Sequence, residues 1–297
     1  MTDAETQDIR IPADDGYDLA ATVSTVAGSE DDRRQSEKVV VVVGSATAVP
    51  RSYYARFARF ITQQGVPVVT FDYRGVGGSR PASLQGFPAR MRDWGEQDIP
   101  GVLSWTNARF PDHHIHWIGH SYGGFGTGLA HNNHLVRRQL GIATMTAHWK
   151  MMAGLERYRV ALLMGYVAPP FVRALGYFPG VLMGSEDLPR DVFLEWAHWV
   201  MTPHFLFGDE TLTSHRHFAT LKAPMRFAQI EDDLWVTDEG VRHLMGQWPA
   251  ATERSIWHVT CADAGGAKIG HLGFFRAAFH DTLWPKAAEW LLATDGA

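Results

Sequence analysis

A serine bracketed by glycines marks the residues best placed for chemistry in this chain. The pentapeptide Gly119-His120-Ser121-Tyr122-Gly123 follows the apolar run Ile115–Ile118 and precedes a glycine-rich stretch that is compatible with a helix. A G-x-S-x-G sequence between a strand and a helix is typical of a nucleophile elbow. The glycines allow two backbone segments to pass close together, so a sharp turn can push the Ser121 hydroxyl into a cleft. The pattern therefore predicts that Ser121 is a nucleophile.

A nucleophilic serine needs a base and a carboxylate, and the second half of the chain offers both. A serine hydroxyl attacks at neutral pH only when an adjacent base takes its proton. That base is normally a histidine, which a carboxylate holds in the correct tautomer. The strand-like run Met225–Ile230 is followed by the acidic run Glu231–Asp233. A later run, Ser255–Thr260, is followed by a glycine-rich loop that contains His271.

Short apolar runs alternate with helix-period stretches and predict the scaffold that positions these residues. The β-branched run Val39–Val43 is typical of a strand covered on both faces, and the charged stretch Ser29–Lys38 predicts a solvated loop. The predicted strands are Ile9–Ile11, Leu19–Val26, Val39–Val43, Val66–Phe71, His114–Ile118, Leu140–Met145, Met225–Ile230 and Ser255–Thr260, and helices are predicted over 54–61, over 101–107 and from 122 onward. Strands that alternate with helices predict an α/β fold with a doubly wound, mostly parallel sheet.

The stretch 149–218 interrupts this alternation. It is rich in prolines and in large apolar side chains, a composition that is typical of a helical cap inserted over an active site. Helices that simply extend the core are the alternative interpretation. We therefore expect a core formed by 1–148 and 219–297, with 149–218 as a helical cap, or lid.

Four motifs, spread over nearly the whole chain, resemble those of one superfamily. They are Val39–Ala46 with the downstream Tyr53-Tyr54, the turn Phe71–Ser79, the pentapeptide at 119–123, and Gly270-His271. On these motifs the chain resembles the α/β-hydrolase superfamily. Within that superfamily it is similar to bacterial predicted hydrolases grouped with serine-aminopeptidase-like and monoglyceride-lipase-like enzymes. The resemblance implies an α/β-hydrolase fold with a helical cap insertion.

The resemblance also implies a role for each candidate residue. In this superfamily the order along the chain is serine, then acid, then histidine. Ser121 would be the nucleophile, and His271 the general base that later protonates the leaving group. The acid of the family usually has an apolar residue three places after it. That spacing favours Asp233, with Val236 in the apolar place, over the adjacent Asp232, which stays open as the alternative.

An oxyanion hole requires two backbone N–H groups aimed at the developing charge. One is expected from Tyr122, directly after the nucleophile. The second is expected from the loop that follows Val39–Val43. Many relatives have His-Gly in that loop, whereas this chain has Gly44–Thr47. The sequence favours the amide of Ala46 as this donor, with Thr47 as the alternative.

Composition limits the other classes of function. The formal net charge is −5, so no global field attracts nucleic acid or an anionic membrane. No apolar run approaches the roughly 20 residues that a bilayer-spanning helix requires, which argues against stable membrane insertion. Met1–Asp8 is polar and acidic, unlike a signal peptide, and the single cysteine, Cys261, fits a reducing compartment. We therefore expect a cytoplasmic protein.

Several other polar patterns are interpreted as structural. The histidines of 113–116 lack the H-E-x-x-H spacing of a metal site. The glycines of 75–78 are not followed by a phosphate-binding helix signature. Residues 92–98 are interpreted as a solvated helix face, and His120 as a packing residue or a neighbour of the catalytic residues. No cofactor and no metal are expected.

The leading hypothesis is a serine hydrolase that cleaves a carboxylic ester of a small or medium apolar substrate through an acyl-enzyme. The same three residues would also serve an amidase, a peptidase or an acyltransferase. A non-catalytic ligand-binding protein on this fold is a further alternative, because a fold does not determine a function. The oligomeric state is left open.

Overall fold

One large β-sheet forms the centre of the computed structural model, which describes residues 4–26, 38–182 and 184–293. A separate two-stranded ribbon lies outside this sheet. In chain order the strands are β1 (Ala4–Pro12), β2 (Asp18–Val26), β3 (Lys38–Gly44), β4 (Val68–Phe71), β5 (His113–His120), β6 (Val136–Ile142), β7 (Tyr177–Phe178), β8 (Leu188–Pro189), β9 (Met225–Ile230) and β10 (Arg254–Val259).

The large sheet is mostly parallel. Its strand order is β1-β2-β4-β3-β5-β6-β9-β10, and β7 pairs with β8 in the ribbon. The hairpin β1-β2 and the pair β2-β4 are antiparallel, whereas β4-β3, β3-β5, β5-β6, β6-β9 and β9-β10 are parallel. The valines of Val39–Val43 are all buried, as a central strand covered on both faces requires. The predicted fold class is confirmed.

Helices flank the sheet and connect its strands; α1 packs against β4, for example, and α10 against β5 and β6. The α-helices are α1 (Ala55–Thr62), α2 (Met91–Asp93), α3 (Ile99–Arg109), α4 (Tyr122–Phe125), α5 (Glu156–Leu162), α6 (Ala168–Leu175), α7 (Arg190–Met201), α8 (Asp238–Met245), α9 (Gly270–Gly273) and α10 (Leu283–Leu291). The 3₁₀ segments are Arg51–Tyr54, Gly77–Ser79, Gly126–Leu129, Asn133–Leu135, Trp149–Met151, Gly180–Leu182, Phe205–Gly208, Thr213–Ala219 and Ala277–Phe279, and the π-helical turns are Trp94–Asp98 and Leu163–Val167.

Most of the predicted elements are present, with shifted ends. The helix predicted over 54–61 begins as a 3₁₀ turn and continues as α1, with Phe57 and Ile61 fully buried. The strand predicted over 140–145 is wrong at its end, because β6 ends at Ile142. The next residue, Ala143, has a φ of 49°, and this left-handed conformation breaks the strand.

Two further predictions differ from the structure in extent. The helix predicted from Tyr122 onward is only one turn of α-helix, α4, before it tightens into the 3₁₀ segment Gly126–Leu129. The glycines in this stretch weaken a regular helix. The solvated loop predicted over 29–38 lies, except for Lys38, outside the described residues, and Lys38 itself begins β3.

The chain between β6 and β9 contributes no strand to the large sheet in its described residues. It contains α5, α6, α7 and the ribbon β7-β8. Helix α5, the π-helical turn Leu163–Val167 and α6 follow one another without a break. The predicted cap, 149–218, lies within this part of the chain between β6 and β9.

A buried ion-pair network fastens the turn after β4 to the start of α3. The Arg74 amide and Nε donate to the two oxygens of Asp98 at 2.9 and 2.7 Å, and its two terminal nitrogens donate to Asp15 at 2.7 and 2.8 Å. Asp98 is fully buried. The prediction that Asp98 lies on a solvated helix face is therefore wrong. The π-helical turn Trp94–Asp98 adds a residue to the helix, which changes the face on which Asp98 falls.

This network gives a stability prediction. We expect Arg74→Met to lower the free energy of unfolding by about 3–5 kcal/mol, because it leaves the Asp98 carboxylate buried without its cation. Asp15→Asn is the matched control. The Asp15 side chain is 42% exposed, so its loss should cost less than about 1 kcal/mol. Urea unfolding of both variants measures the difference, and equal losses would contradict the assignment of Asp98 as the buried partner.

Candidate active site

Ser121 occupies a strained turn between β5 and α4. Its φ of 51° and ψ of −112° lie outside the regions favoured by residues with a Cβ. A Cβ at Gly119 would overlap the carbonyl of Gly123, and a Cβ at Gly123 would overlap the carbonyl of Gly44 at the end of β3. The two glycines of the pentapeptide are therefore required where the strand, the turn and the helix meet.

Hydrogen bonds from β6 and its following loop hold this turn. The Ser121 amide donates to the carbonyl of Ile142 at 2.9 Å. The hydroxyl of Thr144 donates to the Ser121 carbonyl at 3.2 Å. Strained backbone persists only where the surroundings over-determine it. Here both polar groups of the Ser121 backbone have partners.

The structure brings Ser121, His271 and Asp233 together in one chain of hydrogen bonds. His271 Nε2 lies 3.0 Å from Ser121 Oγ, and His271 Nδ1 lies 2.6 Å from Asp233 Oδ2. The other Asp233 oxygen accepts the Trp235 amide at 2.9 Å, which fixes the orientation of the carboxylate. With Nδ1 donating to this carboxylate, Nε2 is free to accept the serine proton. The Asp233 side chain is almost fully buried, whereas that of His271 is 25% exposed.

Asp232 points to a different part of the same loop. Its two carboxylate oxygens accept the amides of Ile269 and Gly270, at 3.0 and 2.9 Å. Gly270 has a φ of 61°, which favours glycine there. Asp232 thus binds the backbone just before His271, and Asp233 binds the imidazole ring.

A buried tyrosine and a buried histidine tie two loops of the site together. His120 Nε2 faces the carbonyl of His271 at 2.8 Å, so this nitrogen must be the donor. His120 Nδ1 is then an acceptor, and Tyr54 Oη donates to it at 2.9 Å. The Tyr54 oxygen in turn accepts the amide of Ala46 at 2.9 Å. Burial, with a smaller contribution from His271, lowers the pKa of His120 to about 3, which matches a neutral ring.

The His271 loop has one more anchor. Tyr53 Oη donates to the carbonyl of Leu272. The adjacent tyrosines 53 and 54 therefore both act on this loop, Tyr53 directly and Tyr54 through His120. In the sequence, the Tyr53-Tyr54 pair indicates only a family resemblance. No local pattern signals these contacts, because their partners lie more than 60 residues away along the chain.

The backbone amides predicted as oxyanion donors differ in their position and in their hydrogen bonds. The amide of Tyr122 directly follows Ser121 at the start of α4. The amide of Ala46 is already bonded to Tyr54 Oη. Within the described ranges, no residue accepts a hydrogen bond from the Thr47 amide. Both Ala46 and Thr47 line the same cavity as Ser121.

A cavity of about 330 Å³ opens onto Ser121 and His271. Its wall is mainly apolar, and large side chains supply most of it: Phe125, Met145, Trp196, Phe205, Trp235 and Leu272. The segment 149–218 contributes Trp196 and Phe205 together with the polar side chains of Arg159 and Ser185. Such a cavity suits an apolar ligand with a few polar atoms.

The described residues contain no cluster of three or more His, Cys, Asp or Glu side chains that could hold a metal ion. None of their helices is long and apolar enough to cross a membrane.

Comparison with known proteins gives the family and the fold of the chain. The model of the "Alpha/beta hydrolase family" matches residues 14–281. No curated protein matches the chain. Among solved structures, the chain is similar to DcsB in complex with its substrate analogue, with a TM-score of 0.65 at 13% identity, over 97% of this chain and 99% of that one.

Two further solved structures, one of them an esterase, are also similar. The Pyrococcus furiosus esterase Pf2001 gives a TM-score of 0.59 at 16% identity, over 97% of this chain and 90% of that one. Est1E from Butyrivibrio proteoclasticus, with ferulic acid bound, gives 0.57 at 12% identity, over 96% and 100%. Likeness at these identities shows a shared fold.

The buried His120 predicts a pH-dependent stability. Because its pKa is about 3 in the folded protein and about 6.5 in an unfolded chain, the unfolded state binds more protons between these values. Stability from this residue is therefore lost as the pH falls from 6.5 towards 3, by up to about 1.4 kcal/mol per pH unit. We expect His120→Gln to make the free energy of unfolding less steeply dependent on pH in this range.

Tyr54→Phe is the control for this prediction. It removes a hydrogen-bond partner but keeps the buried imidazole, so it should lower stability by about 1–3 kcal/mol and leave the pH dependence steep. Denaturant unfolding between pH 4 and 7 measures both effects. A His120→Gln variant with the same pH slope as the parent would disprove the role of this histidine.

Proposed function

The chain belongs to the alpha/beta hydrolase family, and we propose that it is a serine hydrolase that cleaves a carboxylic ester through an acyl-enzyme. The observation that carries this proposal is the chain of hydrogen bonds from Asp233 through His271 to Ser121, at 2.6 and 3.0 Å, beside the cavity. A buried carboxylate, a histidine in the correct tautomer and a serine within reach are the parts that nucleophilic acyl transfer requires.

Each residue of this set has one role in the proposed reaction. Ser121 Oγ attacks the ester carbonyl while His271 Nε2 takes its proton. Asp233 stays ionised, orients the ring and stabilises the imidazolium that forms. His271 then protonates the leaving alkoxide, which departs as an alcohol and leaves the acyl group on Ser121. Water, deprotonated by the same nitrogen, attacks the acyl-enzyme. The bond to Ser121 Oγ breaks, His271 returns the proton to that oxygen, and the acid is released.

The negative charge on the tetrahedral intermediate requires two backbone donors. The Tyr122 amide is the first, because it follows the nucleophile directly. For the second we propose Thr47 in place of Ala46, since the Ala46 amide already donates to Tyr54 Oη. The Thr47 amide has no acceptor among the described residues, so it can bind the oxyanion without losing another bond. One such donor contributes about 2.7–4 kcal/mol to the transition state.

The cavity supports a small or medium apolar substrate. Its wall is mainly apolar and its volume is about 330 Å³, which suits a short acyl or aromatic group. The segment 149–218 supplies part of this wall, which supports its role as a cap over a core formed by 1–148 and 219–297. The presence of esterases among the structural neighbours favours an ester over an amide as the substrate.

Labelling with a fluorophosphonate and turnover of short aryl esters test the proposal. We expect the parent protein to react with both. Ser121→Ala should abolish labelling, and both Ser121→Ala and His271→Ala should lower kcat by about 10⁶-fold. Asp233→Asn should lower kcat by about 10⁴-fold, because the histidine adopts the wrong tautomer.

Asp232→Asn is the matched control, because it changes the neighbouring carboxylate by the same single atom. It weakens hydrogen bonds to the Ile269 and Gly270 amides without touching the imidazole. We expect it to retain labelling and to lower the unfolding midpoint. A folded parent that neither labels nor hydrolyses esters would rule the function out, and transfer of the acyl group to an added alcohol in preference to water would identify an acyltransferase instead.

A further inference from the structure

Two consecutive residues beside the cavity have strained backbone. His204 and Phe205, which follow α7, have φ angles of 64° and 62°, in the left-handed region that residues with a Cβ rarely adopt. Such strain persists only where the surrounding structure imposes it, and it is common at ligand sites. Phe205 is fully buried and lines the cavity that contains Ser121. The strained backbone therefore supports an aromatic side chain of the cavity wall.

Buried side chains hold the Phe205 ring in place. The ring makes edge-to-face contacts with Phe125 of α4 and with Trp199 of α7, at centroid distances of 5.5 and 6.0 Å. Trp199 is itself fully buried, and its indole N–H donates to Asp209 at 2.9 Å. Arg92 donates to the same carboxylate oxygen at 3.0 Å. Because this backing is closely packed, a ligand displaces the Phe205 ring only at a cost in packing.

The wall of the cavity has an exposed part and a buried part. Arg159 and Leu182 are exposed, and Leu272 is partly exposed. The buried part includes four side chains that carry no nitrogen or oxygen atom, and we call them the inner pocket: Phe125, Met145, Ala147 and Phe205, each at most 4% exposed. A polar group placed against these side chains would lose its water without gaining a hydrogen bond. The inner pocket therefore suits an apolar group.

The position of His271 decides which half of an ester enters the inner pocket. In the proposed function, on which this inference rests, His271 Nε2 protonates the leaving oxygen, so the alcohol lies on the His271 side of the carbonyl carbon. The His271 side chain is 25% exposed, and the partly exposed Trp235 lies beside its ring at 5.9 Å between centroids. The alcohol therefore faces the exposed part of the wall, which leaves the inner pocket to the acyl group.

We infer that Phe205 closes the inner pocket and limits the length of the acyl group, so that the protein selects esters of short apolar acids and accepts a range of alcohols. A longer acyl chain would have to displace the ring that Phe125 and Trp199 hold. The alcohol meets the exposed part of the wall, which includes Arg159 and Leu182, and can extend into solvent there. Selection by size therefore acts on the acid and only weakly on the alcohol.

Hydrolysis of p-nitrophenyl esters from acetate to decanoate tests this inference. In the parent we expect kcat/KM to fall by at least about tenfold once the acyl chain is longer than the inner pocket. Phe205→Ala should raise the ratio of kcat/KM for octanoate to that for butyrate by at least about tenfold, because the added methylenes enter the vacated space and leave water. Phe205→Leu removes less volume and should give an intermediate ratio.

Phe193→Ala is the matched control for this substitution. Phe193 is also fully buried in the segment 149–218, where it stacks on Phe178 at 4.2 Å, and it does not line the cavity. Loss of this ring should lower the unfolding midpoint, as loss of Phe205 does, and leave the octanoate-to-butyrate ratio of the parent unchanged. A purely structural role for Phe205 would lower kcat/KM for both esters alike and would also leave the ratio unchanged.

The alcohol half of the substrate provides a second measurement. Butyrate esters of alcohols of increasing length should show a much smaller spread of kcat/KM than p-nitrophenyl esters of acids over the same range of lengths. A larger spread for the alcohols than for the acids would overturn the assignment of the inner pocket to the acyl group.

Binding to Ser121→Ala protein separates this inference from the proposed hydrolysis. Calorimetry with methyl butyrate and methyl octanoate measures occupation of the cavity without turnover, and adding Phe205→Ala should shift the preference towards methyl octanoate. If the parent hydrolyses esters and Phe205→Ala changes neither the ratio nor this preference, the inference is wrong and the proposed function stands. If the preference shifts and no ester is hydrolysed, the proposed function is wrong, whereas Phe205 still closes the pocket.

Discussion

Close backbone contact between β3, β5 and α4 is the constraint on which the rest of the site depends. Gly119 faces the carbonyl of Gly123, and Gly123 faces the carbonyl of Gly44. Any side chain at either position would push α4 away from the ends of the strands. The strained φ of Ser121 persists because this contact and the hydrogen bond to Ile142 leave the turn no room to relax. The position of the Ser121 hydroxyl is therefore determined by the packing around the turn.

The parallel strands bring Asp233 and His271 to the edge of the sheet at which Ser121 lies. Ser121 follows β5, Asp233 follows β9 and His271 lies beyond β10, so all three lie at the carboxyl edge of the sheet, where α/β folds commonly form their sites. The loop that carries His271 needs further support because it is long. Asp232 binds its backbone before the histidine, and His120 binds the carbonyl of the histidine itself. A change at Tyr54 would affect both this loop and the Ala46 loop, since its hydroxyl accepts the Ala46 amide and binds His120, which in turn donates to the His271 carbonyl.

The core and the segment 149–218 differ in where their polar and apolar side chains lie. In the core, the buried charge of Asp98 is matched by Arg74, and the buried His120 is neutral and bonded at both nitrogens. In the segment 149–218, apolar side chains are used on two surfaces. Trp196 and Phe205 line the cavity, whereas Leu155, Leu162 and Phe171 are exposed on the surface. This second use is unusual for a helix that is already packed on its other side.

The features that could be predicted from the amino-acid sequence are local ones. The β-branched run of β3, the glycine spacing around Ser121 and the period of α1 are decided within a few residues, so the strands, the pentapeptide turn and the fold class could be predicted. The tertiary structure alone decided which neighbour of each pair reaches its partner. After β9 the turn of the chain directs Asp233, and not Asp232, to the His271 ring. The Tyr54 hydroxyl accepts the amide of Ala46, and a π-helical turn shifts the helix so that Asp98 is buried. Each of these outcomes depends on contacts between residues that are distant in the chain, or on the register of a helix. Composition encodes neither, so they become visible only in the folded structure.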